Sequence, residues 1–267
     1  MKNIIRKKPP FQCIFCNSSE NVFSSKEHIV PQSLGNNFLI LEKGWICDIC
    51  NNICSSFESK ALNHSHLGFS RAMQGVITKK GKPSRSKING IHWNAVPTLG
   101  KNSISVDKQD LEDKPLLKNS LENGSAFILT VHNEYDYDIA KLFLKIGIET
   151  KVLTDDLNLY QTKEAIEHIL GINDEKWPYF IITSDNISKH IVSIFDFSHY
   201  IHSHALASGF DIYFNFINNQ LILFFKYDKF KYAINLCSRD LDWVDTLKKL
   251  DISYVGCPIE FVKYSTT

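Results

Sequence analysis

Apolar residues follow regular patterns mainly in the second half of the 267-residue chain, where helices and strands can be predicted directly. Over 136–153 they recur at helical spacing, which predicts an amphipathic helix. A second helix is predicted over 162–171, because a Thr start, an early acidic residue and a Gly stop are typical helix signals. The apolar stripe of the first helix consists of Ile139, Leu142, Phe143 and Ile146.

Strands are predicted around these helices from runs that alternate aromatic and aliphatic residues. SAFILTVHN at 125–133 precedes the first helix, INNQL predicts a tight hairpin turn, and WVDTLKKL predicts a final helix. Such alternation suits a mainly antiparallel sheet with one well-buried face, so the expected fold class is α+β. The later strand segments are WPYFIITSD, HIVSIFDF, FDIYFNFIN, QLILFFKY and KYAINL.

The N-terminal part has shorter elements: two short strands and a helix from about Asn51 within residues 11–60, then helix or turn to residue 75. TKKGKPSRSK at 78–87 predicts an exposed basic loop that contacts a nucleic-acid backbone, and Arg71 is a further candidate phosphate contact. The strand-like segments INGIHWNAV and NSISV follow this run.

Two Cys-x-x-Cys pairs, Cys13/Cys16 and Cys47/Cys50, carry the strongest chemical signal. Four thiolates complete the tetrahedral shell of Zn²⁺ and leave no position for substrate, so we expect a structural zinc site. The alternatives are unrelated reduced thiols or a disulfide. The start MKNIIRKKPPF has no apolar run long enough for a signal peptide, which favours a cytoplasmic location, reduced thiols and hence the metal.

Between the cysteine pairs lies Glu27-His28-Ile29-Val30-Pro31, and Asn51 follows the last cysteine. Histidine, with an ordinary pKa near 6.5, suits a general base, although a lone histidine is more often structural. Carboxylate and amide oxygens are hard ligands that suit Mg²⁺ or Mn²⁺.

Residues 11–60 resemble the HNH, or ββα-metal, endonucleases, in the subgroup framed by a four-cysteine zinc site. The resemblance rests on CIFC at 13–16, EHIVPQSLG at 27–35 and CDICNN at 47–52. It implies that His28 is the general base that activates water, and that Glu27 and Asn51 hold a catalytic Mg²⁺ or Mn²⁺. Many members have Asp at the position of Glu27. The middle Asn of the family corresponds to Asn36 or Asn37, and Asn52 and Glu58 are less favoured ligands than Asn51.

The resemblance extends the fold class to a zinc-stapled ββα-metal nuclease module followed by a second α+β domain. We divide the chain into a basic N-terminal arm (1–10), the HNH zinc module (11–75), a basic extension of the nuclease region (76–120) and an acidic domain of unknown role (121–267). Composition and charge change near 110–124, which favours a domain boundary there.

Charge is distributed unevenly, although the net charge is only +1. Residues 1–120 hold 17 Lys and Arg against 9 Asp and Glu, whereas residues 121–267 hold 13 against 20. Binding of nucleic acid depends largely on cation–phosphate attraction, so the N-terminal part is the expected nucleic-acid face. The acidic part is expected to contact a protein partner, a small ligand or the basic half. No apolar stretch reaches the roughly 18 residues of a membrane helix, so no membrane association is expected.

Three hypotheses follow. The leading one is a divalent-metal-dependent endonuclease that hydrolyses phosphodiester bonds in double-stranded DNA, with a role in phage defence or restriction. The second is a non-catalytic zinc-dependent nucleic-acid-binding protein. The third assigns the acidic domain a regulatory function that restrains the nuclease.

Overall fold

The structure, a computed structural model, describes residues 9–78, 80–112, 114–123, 136–153, 161–182, 209–228, 230–249 and 254–257. The predicted strands at 125–133 and 190–197 and most of the basic arm lie outside the described residues. The fold is α+β with antiparallel sheets, as predicted.

Contacts group the described residues into two compact units. One comprises those within Met1–Phe57 and Tyr137–Thr267, and the other those within Glu58–Asp136. The N-terminal cysteine-bearing segment therefore shares a unit with residues of the acidic domain. The sequence-based domain ranges stay a prediction, and the contacts divide the chain differently.

The N-terminal segment forms the predicted ββα element. Strand β1 (Glu27–His28) pairs antiparallel with β2 (Ile40–Leu41), and α1 (Asp48–His64) follows. The helix begins earlier than predicted, since the Asn51 amide already donates to the carbonyl of Cys47. The second cysteine pair thus lies at the helix start. Buried apolar residues form its core: Ile29, Val30, Leu34, Leu39, Leu41, Ile46, Cys54 and Phe57.

The C-terminal part of the same unit contains an antiparallel sheet of five strands: β6 (Tyr179–Ile182), β7 (Phe210–Ile217), β8 (Gln220–Tyr227), β9 (Phe230–Asn235) and β10 (Tyr254–Cys257). Their order in the sheet is β10-β6-β9-β8-β7. Asn218 and Asn219 both have positive φ in the β7–β8 hairpin, as a tight two-residue turn of this kind requires. Strand β10 was not predicted.

Three helices accompany this sheet: α4 (Asp136–Leu153), α5 (Lys163–Ile169) and α6 (Asp242–Lys249). Successive strand residues point to opposite faces. On one face Phe180, Ile222 and Phe224 pack with Trp243 of α6. Phe143 of α4 contacts a different set of rings, those of Tyr179, Phe225 and Tyr232.

Helix α4 is buried along almost its whole length, which is unusual for a helix with charged residues. The predicted stripe Ile139, Leu142, Phe143 and Ile146 is buried, which confirms the pattern. The helix also has a close approach at Gly147, where an added Cβ would lie 2.7 Å from both terminal carbons of Leu236. Of the described helices, none is long and apolar enough to span a membrane.

The second unit contains the end of α1, helix α2 (His66–Met73), a three-stranded antiparallel sheet and helix α3 (Pro115–Glu122). Its core is formed by Ile88, Ile91 and Trp93, with Phe69 stacked edge-on against the Trp93 ring. The sheet strands are β3 (Arg85–Ile88), β4 (Ile91–Ala95) and β5 (Ile104–Val106). The prediction of an exposed loop through residue 87 is wrong for Arg85–Lys87, which belong to β3.

Candidate metal centre and active site

The four cysteines of the two pairs lie together, with their sulfur atoms all within 4.8 Å of one another. The Cys16 and Cys47 sulfurs are 3.7 Å apart. Tetrahedral zinc with Zn–S bonds of about 2.3 Å places its sulfurs about 3.8 Å apart, so the spacing fits Zn²⁺. Cys13, Cys47 and Cys50 are buried, and Cys54 is not among the clustered sulfurs.

Hydrogen-bond donors contact the sulfurs of this cluster. The side-chain amide of Asn21 donates to the sulfurs of Cys16 and Cys47 at 3.6 and 3.4 Å, and the backbone amide of Cys47 donates to Cys13. A hydrogen bond from the Cys50 thiol lowers the pKa of Cys13 to about 4, and the same bond raises the pKa of Cys50. Such outer contacts orient metal ligands. Asn21 was not recognised in the sequence.

Asp48, between the second pair of cysteines, connects the helix start to the segment that leads into β1. Its carboxylate accepts hydrogen bonds from the hydroxyl and amide of Ser24 and from the amide of Ser25. These bonds, led by the Ser24 hydroxyl, lower the pKa of Asp48. The zinc site and Asp48 together fix where β1 begins relative to α1.

Asn36 holds the loop between β1 and β2 in shape. Its buried side chain donates to the carbonyls of Val30 and Leu39 at 2.6 and 2.8 Å and accepts from the amides of Phe38 and Leu39. Asn37 is exposed and accepts one long bond, from the side chain of Gln32. Of the two candidates for the middle asparagine of the family, Asn36 is therefore the one whose side chain stabilises the loop between β1 and β2.

The predicted catalytic residues lie on the ββα element. Glu27 and His28 form β1, and Asn51 lies near the start of α1; all three are half-buried. Of the substitute ligands, Asn52 is exposed and Glu58 half-buried. The donor chemistry of Glu27 and Asn51 fits a hard divalent cation, and their roles stay predictions.

An unpredicted charged residue of α4 contacts this element, and a second charged residue of α4 pairs with it. The ammonium of Lys145 lies 2.7 Å from Oε1 of Glu27, 3.3 Å from the carbonyl oxygen of His28 and 3.1 Å from Oε2 of Glu149. The side chains of Lys145 and Glu149 have no exposed surface, and that of Glu27 is 12% exposed. More than one hundred residues separate α4 from β1, so no local sequence signal could reveal this contact.

The second unit presents some of the predicted phosphate contacts. Lys82 and Lys87 are exposed, and Arg85 is exposed while paired with Asp107. Arg71 is buried and donates to the Asn63 side chain and the Arg85 carbonyl. The prediction of Arg71 as a phosphate contact is therefore wrong, because its guanidinium has a structural role inside the unit.

Among the described residues, His92, Asp107 and Asp110 form a second cluster of ligand-type groups. Asp110 accepts hydrogen bonds from the backbone amide and from Nδ1 of His92. The hydrogen bond from that amide is the largest of the causes that lower the pKa of Asp110. Asp107 accepts from Asn94 and pairs with Arg85. These bonds explain the cluster as a polar connection between β3, β4 and the turn that follows β5.

Residues 13–66 match the family model of an HNH endonuclease. The resemblance to HNH endonucleases is confirmed over that segment. We call residues 13–66 the HNH segment; it contains the cysteine cluster and the whole ββα element. No curated protein and no solved structure matches the chain significantly. The HNH segment indicates a nuclease-type function, a zinc-binding cysteine cluster and a nucleic-acid substrate.

Proposed function

We propose that the protein is a divalent-metal-dependent endonuclease that hydrolyses phosphodiester bonds in double-stranded DNA. The observation that carries this proposal is the ββα element, which bears an acid–histidine pair on β1, a clustered cysteine quartet and a match to HNH endonucleases over the same residues. A role in phage defence or restriction stays a prediction.

In the proposed reaction, His28 accepts the proton of the attacking water. A histidine side chain suits that task, because an imidazole can take a proton and release it again at cellular pH. Its strand pairs with β2, and Lys145 donates a hydrogen bond to the His28 carbonyl. These contacts orient the backbone from which the imidazole projects.

Glu27 and Asn51 provide the oxygen donors for Mg²⁺ or Mn²⁺. When bound, such an ion supplies positive charge to the scissile phosphate and the leaving oxygen. Exposed lysines of the second unit, Lys82 and Lys87, support contact with the DNA backbone. Phosphate contacts position a duplex without reading its sequence, so we expect them to add affinity and little specificity.

The test is metal-dependent nicking of supercoiled plasmid by the wild type and by His28→Ala. We expect His28→Ala to retain zinc and fold while its cutting rate falls about 100-fold or more, as loss of a general base predicts. His64→Ala, in the same HNH segment at the end of α1, is the matched control and should cut normally. Loss of zinc from His28→Ala would show that residue 28 is structural.

The second candidate, a non-catalytic zinc-dependent nucleic-acid-binding protein, is favoured by one observation. The carboxylate of Glu27, a proposed metal ligand, forms an ion pair with Lys145. The same experiment separates the two candidates. DNA binding by wild type and His28→Ala without cutting by either, in Mg²⁺ or Mn²⁺, would select the binding protein.

A further inference from the structure

Lys145 contacts both members of the acid–histidine pair from an element outside the HNH segment. Three oxygens lie within 3.3 Å of its Nζ: those of the Glu27 carboxylate, the His28 carbonyl and the Glu149 carboxylate. The Glu27 and His28 oxygens accept hydrogen bonds from this ammonium, and the Glu149 carboxylate forms an ion pair with it. Nothing in the family match assigns a function to α4, which lies far beyond residue 66.

The buried ion pair between Lys145 and Glu27 is an unfavourable way to attach α4 to β1 if attachment is its only function. Burying an ammonium and a carboxylate removes both from water, and such a pair is often no more stabilising than apolar side chains of the same size. The apolar packing of Phe143 against Tyr179, Phe225 and Tyr232 already anchors the helix. Attachment of α4 to the rest of the unit therefore does not explain why residue 145 is charged.

The surroundings of Glu27 suggest a different purpose. Strand β1 is two residues long, so backbone pairing alone holds it weakly. Lys145 binds Oε1 of Glu27, and among the described residues no hydrogen bond to Oε2 is found. Glu149, four residues along the same helix, forms a second ion pair with Lys145 and supports the position of its ammonium.

We propose that Lys145, supported by Glu149, is a positioning residue of the nuclease site: it fixes Glu27 through Oε1 so that Oε2 faces the catalytic cation. This inference rests on the proposed function. It makes helix α4 part of the active site and explains why the part of the HNH segment up to Phe57 shares one compact unit with α4 from Tyr137 onward.

The test compares Lys145→Met with wild type in zinc-loaded, full-length protein. Mn²⁺ affinity is measured by electron paramagnetic resonance of the free ion, and plasmid cutting gives kcat and KM. We expect the Mn²⁺ dissociation constant of Lys145→Met to rise 10- to 100-fold, in the range found for outer partners of metal ligands. The kcat should fall while KM for DNA stays within about twofold, since no DNA contact is lost.

Lys151→Met is the matched control, because Lys151 is also buried on α4 but lies over the rings of Phe214 and Phe216. It removes a buried lysine from the same helix without touching Glu27. We expect its Mn²⁺ affinity to equal that of wild type. If both variants lose affinity together with thermal stability, the effect is on folding and the positioning inference is overturned.

A double-mutant cycle with Glu27→Gln tests whether Lys145 affects Mn²⁺ binding through Glu27. If Lys145 acts through Glu27, adding Lys145→Met to Glu27→Gln should change Mn²⁺ affinity little further, because coupled residues are not additive. Unchanged or tighter Mn²⁺ binding by Lys145→Met alone would overturn the inference while leaving the nuclease proposal intact. A wild-type protein that neither binds Mn²⁺ nor cuts DNA would overturn both.

Discussion

Asn36 and Asn37 are adjacent asparagines with different surroundings, and they provide a sharp comparison. Asn36→Ala would remove two donors and two accepted bonds inside a buried loop. Leaving buried backbone groups unpaired costs roughly 1–3 kcal/mol, so we expect that loss of stability in chemical unfolding and a slower cutting rate with zinc retained. The exposed Asn37→Ala should behave as wild type; equal effects would contradict the structural role of Asn36.

His168 predicts how stability depends on pH. It is fully buried, and desolvation, aided by the charge of Lys141, lowers its pKa to about 4. Its Nδ1 donates to the carbonyl of Asn173. In the unfolded chain this histidine binds a proton as the pH falls below its ordinary pKa near 6.5, whereas in the folded chain it stays neutral until about pH 4. The free energy of unfolding should therefore fall as the pH is lowered from about 6.5 to about 4.

The measurement is the melting temperature of wild type and His168→Asn between pH 7 and pH 4. Asparagine mimics the Nδ1 donor but does not titrate, so the variant should lose less stability on acidification than wild type. Comparing the two separates this histidine from the cysteines, whose protonation also releases zinc. Parallel curves for the two proteins would contradict the assignment.

At single positions, prediction from sequence succeeded where the signal is local. The four cysteines are spaced for one metal ion, and the structure brings them together. Asn21 and Lys145 were missed because their importance comes from what they touch. Asn21 lies in an ordinary polar turn, and Lys145 is one of several charged residues in α4, so nothing in the sequence distinguishes it.

At the level of elements, the long periodic segments were the predictable ones. Helix α4, strands β7 to β9 and the Asn218-Asn219 turn form as expected, because each pattern repeats several times. Strand β3 was mistaken for a loop because its sequence is rich in basic residues and serine. Its positions nevertheless alternate between exposed and buried, with Ser86 and Ile88 buried. Strand β10 has only four residues, one of them Gly256.

The zinc site predicts a folding dependence of the ββα element. Its two strands have two residues each, too few to be stable without a metal or a partner. Structural zinc supplies on the order of 10 kcal/mol of folding free energy in small domains. We expect Cys47→Ser to lose zinc, measured by mass spectrometry, and to lose helical signal in circular dichroism.

Cys54→Ala is the control for the zinc experiment. Cys54 is as buried as Cys50 and lies one helical turn further along α1, but its sulfur is outside the cluster. It should keep one zinc per chain and only a slightly lower melting temperature. A normal zinc content in Cys47→Ser would contradict a four-cysteine site.

For the whole molecule, the grouping of residues predicts the behaviour of a fragment. Residues 1–120 alone lack α4, so Glu27 loses Lys145, and they lack β7, where Phe210 stacks on Phe38 of the HNH segment. We expect this fragment to melt without cooperativity and to cut DNA more slowly than the full chain. Faster cutting by the fragment would instead support the hypothesis that the acidic half restrains the nuclease.

The close approach between Gly147 and Leu236 makes residue 147 sensitive to substitution, although it lies far along the chain from the HNH segment. A single methyl group there would push against Leu236, which has no exposed surface and little freedom to change rotamer in a packed core. The strain would pass to the helix two residues from Lys145. A genetic selection for inactive protein should therefore recover changes at residue 147, although every sequence comparison centred on the cysteines and the acid–histidine pair would score them as harmless.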